Sequence, residues 1–128
     1  MTAVLDASAM LALLRTEPGH EQVAQLLPGS VISAINYSEV VQKLTQLGST
    51  TAEDDTAALV ALGATVAPFD TTAAINAARL WPATRAAGLS LADRACLGLA
   101  ADLAGGLAVT ADRAWARLDL AVPVRLIR

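Results

Sequence analysis

The chain has 128 residues, of which 55% are hydrophobic and only 3% aromatic, and its nine Lys and Arg against twelve Asp and Glu give a formal charge of −3. This length predicts a single domain spanning residues 1–128, and the short apolar runs exclude a membrane-spanning helix. The acidic balance excludes nucleic-acid binding through overall basicity, so any contact with phosphate must be local.

The hydrophobic pattern alternates short strands with helices along the whole chain. Pro18 and Gly19 close the first helix, Gly48 ends a later one, and Gly88 ends another that Pro82 interrupts. In chain order, the predicted elements are a strand at 3–5, helices at 7–14 and 20–27, a strand at 31–33, helices at 36–47 and 51–62, a strand at 65–69, helices at 71–87 and 91–103, a strand at 107–110, a short helix at 112–118 and a strand at 124–127.

Such alternation is typical of a three-layer α/β sandwich. We therefore expect a mainly parallel sheet of four or five short strands, joined by right-handed crossovers and covered by helices on both faces. In parallel sheets of this kind ligands bind where the strands end, so functional residues are expected at the carboxyl edge.

Several common kinds of site are missing from the sequence. It has no glycine-rich phosphate loop, no dinucleotide-binding glycine motif and no Cys/His cluster for zinc. His20 is the only histidine and lies in a predicted helix, which excludes a Ser-His-Asp or Cys-His site within this chain. Cys96, the only cysteine, falls in an apolar helical pattern that predicts a buried thiol. With no internal disulfide and no leader-like segment, we expect a cytoplasmic protein.

Four acidic residues occupy positions that converge on one edge of such a sheet. Asp6 follows the first strand, Asp112 lies just past Thr110 in a later strand, and Glu39 and Asp93 each lie one turn into a helix. Clustered carboxylates repel one another and raise each other's proton affinity, unless a hard divalent cation neutralises them. Mg²⁺ or Mn²⁺ accepts carboxylate and water oxygens and would suit such a cluster.

The same acids have a structural alternative as helix caps. The pairs Asn36 with Glu39 and Ser90 with Asp93 have the spacing of capping boxes, and an aspartate that begins a helix accepts hydrogen bonds from backbone N–H groups. The spacing by itself leaves the metal site and the caps both open.

Four motifs in order resemble a known family along essentially the whole chain. The motifs are Val-Leu-Asp-Ala-Ser at 4–8, Asn-Tyr-Ser-Glu-Val at 36–40, Leu-Ser-Leu-Ala-Asp-Arg-Ala-Cys-Leu at 89–97 and Val-Thr-Ala-Asp-Arg-Ala-Trp at 109–115. Together they resemble the PIN-domain ribonucleases of the VapC toxin type. This resemblance implies an endoribonuclease dependent on Mg²⁺ or Mn²⁺, whose catalytic and metal-binding acids match Asp6, Glu39, Asp93 and Asp112.

The resemblance also implies supporting residues around those acids. Hydroxyls such as Ser8 and Thr110 support the metal site in this family, and Arg94 and Arg113 are candidates to contact RNA phosphate. An ordinary salt bridge or a solvated side chain is the alternative for each arginine. Some members of the family carry a further acid where this chain has Ala114, so the fourth ligand depends on Asp112 alone.

The expected partners follow from the same resemblance. A VapB-type antitoxin is expected to inhibit the chain by docking a helix against residues 9–27 and 36–47, with an Arg side chain reaching the acids in place of the metal. The substrate is expected to be transfer or ribosomal RNA. A homodimer groove would collect enough arginines for an acidic protein to hold it, and no membrane is involved.

Three alternatives to this function remain. A haloacid-dehalogenase-like phosphatase also places an acid after the first strand, but it needs a second Asp two residues on, where Ser8 stands. A receiver domain needs a suitably placed lysine late in the chain, and the only lysine is Lys43. A PIN-like module that has lost catalysis and only binds a partner would keep the fold without binding metal.

Overall fold

The computed structural model describes all residues from Met1 to Arg128 and alternates strands with helices. Its elements are β1 (Thr2–Leu5), α1 (Ala7–Arg15), α2 (His20–Leu26), β2 (Val31–Ser33), α3 (Ala34–Gln46), α4 (Ala52–Ala61), β3 (Thr65–Ala67), α5 (Thr71–Arg79), α6 (Trp81–Thr84), α7 (Leu91–Asp102), β4 (Gly106–Thr110) and β5 (Val124–Leu126), with short 3-10 helices at Arg85–Ala87 and Arg113–Arg117.

The five strands form one parallel sheet in the order β3-β2-β1-β4-β5. The predicted three-layer α/β fold with a parallel sheet is thereby confirmed. β1 and β4 are central neighbours although 100 residues of chain separate their ends, and Leu5 pairs with Val109 in their register. The residues that follow these two strands therefore meet at the same point of the carboxyl edge.

Each face of the sheet carries its own hydrophobic cluster. On one face Leu5 packs with residues of α1 to α4, among them Met10, Val40 and Leu59. On the other face Val4 packs with Cys96 and Leu97 of α7 and with Trp115. Successive residues of β1 thus point into opposite layers, as strand geometry requires. None of the helices combines the length and the apolar character that crossing a membrane requires.

Three predicted elements differ from the structure by more than one residue. The helix expected to open at Asn36 begins at Ala34, because the Ser33 hydroxyl accepts a hydrogen bond from the Ile35 N–H at 3.3 Å and acts as the N-cap. β3 stops at Ala67, since Pro68 cannot donate to a strand ladder. The long helix expected at 71–87 is divided into α5, α6 and a 3-10 turn around Pro82.

Candidate active site

Asp6 occupies the turn between β1 and α1 and is buried, with 4% of its surface exposed. As the N-cap of α1, its Oδ1 accepts hydrogen bonds from the Ala9 N–H at 2.8 Å and from the Ser8 hydroxyl at 2.7 Å. Its Oδ2 accepts from the Thr110 hydroxyl at 2.5 Å. Both oxygens of this buried carboxylate are therefore held by donors from β4 and α1.

The two hydroxyls also tie the chain beyond β4 to this carboxylate. Ser8 Oγ accepts from the Ala111 N–H at 2.8 Å, and Thr110 Oγ1 accepts from the Asp112 N–H at 3.0 Å. The hydroxyls lie 3.3 Å from each other. Ser8 and Thr110 thus link the ends of β1 and β4 into one hydrogen-bonded unit around Asp6.

Burial raises the pKa of Asp6 from its ordinary value of 3.8 to about 6. The hydrogen bonds from Thr110, Ser8 and Ala9 oppose this shift, while the negative charge of Asp93 adds to it. Desolvation is the larger effect because few water molecules reach the carboxylate. Asp6 is thus a carboxylate whose charge the protein itself leaves poorly compensated.

Glu39 lies inside α3 beside the buried Asn36. The Asn36 Nδ2 donates to Glu39 Oε1 at 3.1 Å and to the Ala92 carbonyl at 3.1 Å, so it connects α3 to the first turn of α7. Burial raises the pKa of Glu39, the Asn36 hydrogen bond lowers it, and the charge of Asp93 raises it again. The proposed capping box of Asn36 with Glu39 is wrong, because both residues lie within α3 and Ser33 is the cap.

Asp93 lies in the first turn of α7, where it completes a capping box. The Ser90 hydroxyl accepts from the Asp93 N–H at 3.2 Å, and Asp93 Oδ2 accepts from the Ser90 N–H at 3.0 Å. The predicted capping role is confirmed. Asn36 bonds both Glu39 and the carbonyl of Ala92, the residue before Asp93, and the charge of Asp93 raises the pKa of Asp6 and of Glu39, so Asp93 belongs to the same region.

The Cys96 thiol is influenced by the same three acids. Burial raises the pKa of its thiol, and the charges of Asp6, Asp93 and Glu39 each raise it further. The fully buried thiol lies 3.7 Å from the Val4 carbonyl of β1 and one helical turn from Asp93 on α7.

Asp112 is exposed and caps the 3-10 helix at Arg113–Arg117, with its Oδ1 accepting from the Ala114 N–H at 3.0 Å. It reaches the other acids only through its own backbone N–H, which donates to Thr110. The structure therefore brings Asp6, Glu39 and Asp93 together and leaves Asp112 at the rim.

The donor set fits a hard divalent cation in its chemistry. The acids offer only carboxylate oxygens, and none of them takes part in the salt bridges of the molecule, which involve Arg15, Glu17, His20, Glu21 and Arg128. In the present side-chain positions, however, no three Asp, Glu, His or Cys residues are grouped so that they could hold a metal ion. Each acid accepts a local hydrogen bond, so these side chains would have to rotate to coordinate a metal ion.

The two candidate arginines are placed differently. Arg94 is half-buried and donates from Nη1 to the Ala77 carbonyl at 3.1 Å, which links α7 to α5, while its Nε is buried without a partner. Arg113 is exposed beside Asp112. Neither forms the salt bridge that was the alternative for it. Arg94 acts in helix packing, and Arg113 is the freer of the two to meet a ligand.

The sequence profile of the PIN domain matches residues 3–120 of this chain. The chain belongs to the PIN-domain family. The PIN-domain resemblance drawn from the four sequence motifs is confirmed. PIN domains are generally dependent on divalent metal ions, which agrees with the carboxylate chemistry of the carboxyl edge.

Solved structures of similar fold cover nearly the whole PIN domain. The DNA-bound VapBC complex of Salmonella typhimurium has a TM-score of 0.72 at 18% identity, over 100% of this chain and 99% of that one. FitAcB of Neisseria gonorrhoeae has a TM-score of 0.69 at 21% identity, over 98% and 97%. VapBC2 of Rickettsia felis, bound to a promoter DNA fragment, has a TM-score of 0.68 at 14% identity, over 98% of both chains. No curated protein sequence matches the chain.

Asn36 is the residue of this PIN domain that the sequence analysis missed. It was expected at a helix start, yet it is buried inside α3 and holds Glu39 to the first turn of α7. The signal was the helical spacing of Asn36, Val40 and Leu44, all of which face the core. An asparagine in such a series needs hydrogen-bond partners, and the adjacent acid supplies one.

Proposed function

We propose that this PIN domain is a Mg²⁺- or Mn²⁺-dependent endoribonuclease toxin that cleaves transfer or ribosomal RNA and is neutralised by a VapB-type antitoxin. The observation that carries the proposal is the group of Asp6, Glu39 and Asp93 at the carboxyl edge, where negative charge collects and no acid of the group forms a salt bridge. Membership of the PIN-domain family and the likeness to VapBC and FitAcB support it.

In this proposal Asp6, Glu39 and Asp93 hold the cation, and Asp112 joins them from the rim. When bound, a divalent ion lowers the pKa of a water molecule for attack on the scissile phosphorus and neutralises charge on the phosphate. No side chain acts as a nucleophile. A negatively charged product would leave an edge whose own acids repel it.

The remaining residues position these acids and control their protons. Ser8 and Thr110 fix the orientation of the Asp6 carboxylate, and Asn36 does the same for Glu39. The capping box with Ser90 holds Asp93 at the start of α7. Since the pKa of Asp6 lies near 6, this carboxylate is largely ionised at pH 7 but takes up a proton in mild acid. In the metal-free chain, protonation of Asp6 should therefore compete with cation binding below about pH 6.

An apolar groove supports the proposed antitoxin contact. It lies between α1, α2 and α4, has a volume of about 400 Å³, and is lined mainly by aliphatic side chains: Leu13, Leu14, Ala24, Leu27, Pro28, Ala58, Leu59 and Leu62. Much of it falls in the expected docking region at 9–27, whereas its other wall comes from α4 and not from 36–47. An amphipathic antitoxin helix would fill it, and an Arg of the antitoxin would pair with the acids.

The test is cleavage of RNA by the purified protein. We expect cutting with Mg²⁺ or Mn²⁺ and none in EDTA, and mapping of the cut ends would identify the target RNA. Recovery of the protein from its native cells should bring an antitoxin whose binding competes with Mn²⁺. Cleavage that continues undiminished in EDTA would contradict the metal mechanism.

A catalytically silent PIN module is the second candidate, favoured by one observation. The acids are engaged in local hydrogen bonds and no three of them are grouped around a common metal position. Calorimetric titration with Mn²⁺ separates the two functions, because the enzyme must bind the ion and the silent module must not. A dimer, which we also propose for the enzyme, is checked by sedimentation of the same sample.

A further inference from the structure

A polar groove begins at Glu39 and follows α3 away from the carboxyl edge. It has a volume of about 280 Å³ and lies between α3 and the first turns of α1. Its lining consists of Ala7, Leu11, Glu39, Gln42, Lys43 and Gln46. One member of the proposed catalytic group therefore forms one end of a groove whose remaining polar residues have no part in that group.

The groove exists because α3 carries two different faces. Asn36, Val40 and Leu44 recur at intervals of four and are buried in the core. The residues at 39, 42, 43 and 46 follow the i, i+3, i+4, i+7 spacing of a single helical face and are polar throughout. Gln42, Lys43 and Gln46 are exposed, so this polar stripe borders solvent and is open to a ligand.

Lys43 is available to a ligand in this groove. A Glu followed by Lys four residues later on a helix ordinarily forms an ion pair. Here Glu39 is held instead by Asn36, and Lys43 is exposed and takes part in none of the salt bridges. Lys43 is also the only lysine of a chain whose formal charge is −3. Its charge therefore stands unpaired about one helical turn, or ~5.4 Å, from the proposed catalytic carboxylate.

We propose that this groove binds the backbone of single-stranded RNA next to the scissile nucleotide. This inference rests on the proposed nuclease function. Lys43 contacts a phosphate, and the amides of Gln42 and Gln46 hydrogen-bond the 2′-hydroxyl and base edges, for which an amide has both donors and acceptors. The wall formed by Ala7 and Leu11 lies against the sugar. An RNA strand is favoured over an acidic peptide because amides on both sides of the lysine match the hydroxyl and phosphate groups that alternate along RNA.

Equilibrium binding of a short fluorescein-labelled single-stranded RNA tests the proposal. Binding is measured by fluorescence anisotropy in EDTA, so that no cleavage occurs, over a series of salt concentrations. Losing one phosphate contact should lower the slope of log K against log salt by about 0.7 and weaken binding about fivefold at 0.1 M salt. We expect this for Lys43→Gln and expect Lys43→Arg to restore wild-type binding.

Arg79→Gln is the matched control. Arg79 is an exposed cation without a salt bridge, placed on α5 in a different hollow beside Asn76 and Asp102. The Arg79→Gln substitution should leave both the RNA affinity and its salt dependence unchanged. Circular dichroism of all three variants checks that the fold is intact, and since Lys43 is exposed we expect no change in stability.

The results separate the groove from the proposed nuclease function. RNA binding that depends on Lys43 without any cleavage in Mn²⁺ would support the groove and contradict the nuclease. Cleavage by the wild type, together with equal binding by Lys43→Gln and wild type, would overturn the groove and leave the nuclease. Lys43-dependent binding of an oligoglutamate peptide by a protein that ignores RNA would overturn the proposal in favour of an acidic peptide.

Discussion

The two ends of the central strands β1 and β4 are held in place by different kinds of contact. At the carboxyl end, the buried side chains are the polar Asp6 and Thr110, whose hydrogen bonds tie the two strands together. At the amino end, the chain enters β4 through two glycines, Gly105 and Gly106, which lie against Met1 and Ala100. The strands are therefore held by polar side chains at one end, whereas close backbone packing dominates at the other.

At the amino end, the backbones of β1, β4 and α7 lie very close together. The Thr2 N–H donates to the Gly105 carbonyl at 2.9 Å, which begins the pairing of β1 with β4. A side chain at Gly106 would place its Cβ 1.9 Å from the carbonyl oxygen of Ala100, so only glycine fits where α7 turns into β4. The hollow of about 470 Å³ at this end is lined mostly by aliphatic residues. Its lining contains no carboxylate, imidazole or thiol side chain.

The carboxyl end of the sheet carries acidic side chains whose ionisation is opposed by their burial. Burial raises the pKa of both Asp6 and Glu39, which means that ionising these acids destabilises the folded chain. A sheet end that served stability alone would resemble the amino end. Perturbed acids in a cleft are characteristic of functional sites. We therefore expect the amino end to contribute mainly to stability and the carboxyl end to carry the proposed site.

The largest effect is expected from Asp93→Asn, which should reduce RNA cleavage by at least about 1,000-fold, or about 4 kcal/mol of activation free energy. The Asn amide oxygen still accepts the hydrogen bond of the Ser90 N–H, so α7 keeps its cap while the charge is lost. A quenched-fluorophore RNA substrate gives the rate. Asp102→Asn, at the far end of the same helix, is the control and should cut normally. Equal rates for both variants would make Asp93 a helix cap only.

Gly106→Ala tests the amino end and should lower the free energy of unfolding by about 3 kcal/mol or more, because the added methyl group overlaps the Ala100 backbone. Urea denaturation measures the loss. Gly29→Ala is the control, since Gly29 has a φ of +80° but no atom within 4 Å of an added Cβ, and should cost only about 1 kcal/mol. The folded fraction of Gly106→Ala should cleave RNA normally. A loss of activity there would show that the two ends are coupled.

The pH dependence of the free energy of unfolding should reveal the raised pKa of Asp6 at the carboxyl end. Because the folded chain holds the Asp6 proton up to about pH 6, whereas the unfolded chain releases it near 3.8, the folded state binds more protons in this interval. In EDTA, the free energy of unfolding should therefore fall by up to about 3 kcal/mol as the pH rises from 4 to 6, and then level off. Asp6→Asn should abolish most of this slope. A wild-type stability that rises over the same interval would contradict the assignment.

Ser8→Ala should have the smallest effect and lower the free energy of unfolding by about 1 kcal/mol. The substitution removes a donor to Asp6 and the acceptor of the Ala111 N–H, so it loosens the link between β1 and β4 without removing charge. It should also raise the pKa of Asp6 further, because the Ser8 hydrogen bond lowers it. Thermal unfolding at pH 7 measures the effect. Ser38→Ala, at an exposed position of α3, should unfold like the wild type.

Much of the fold was predictable because its signals are local. The second strand at 31–33, the capping box of Ser90 with Asp93 and the break at Pro82 all depend on residues close in sequence. The start of α3 was not predicted, because Ser33 ends a strand and caps a helix at the same time. A pattern that assigns each residue to one element cannot show such a double role.

The sequence by itself determined the alternation of strands and helices and placed an acid after the first strand and in the first turn of α7. The tertiary structure alone decided that β4 lies beside β1, and hence that Thr110 meets Asp6 across 104 residues. It also decided that Asn36 joins Glu39 to α7 and that Arg94 turns toward α5. Propensities and caps act over a few residues, whereas strand order and buried hydrogen bonds depend on how whole layers pack, and no local pattern carries that information.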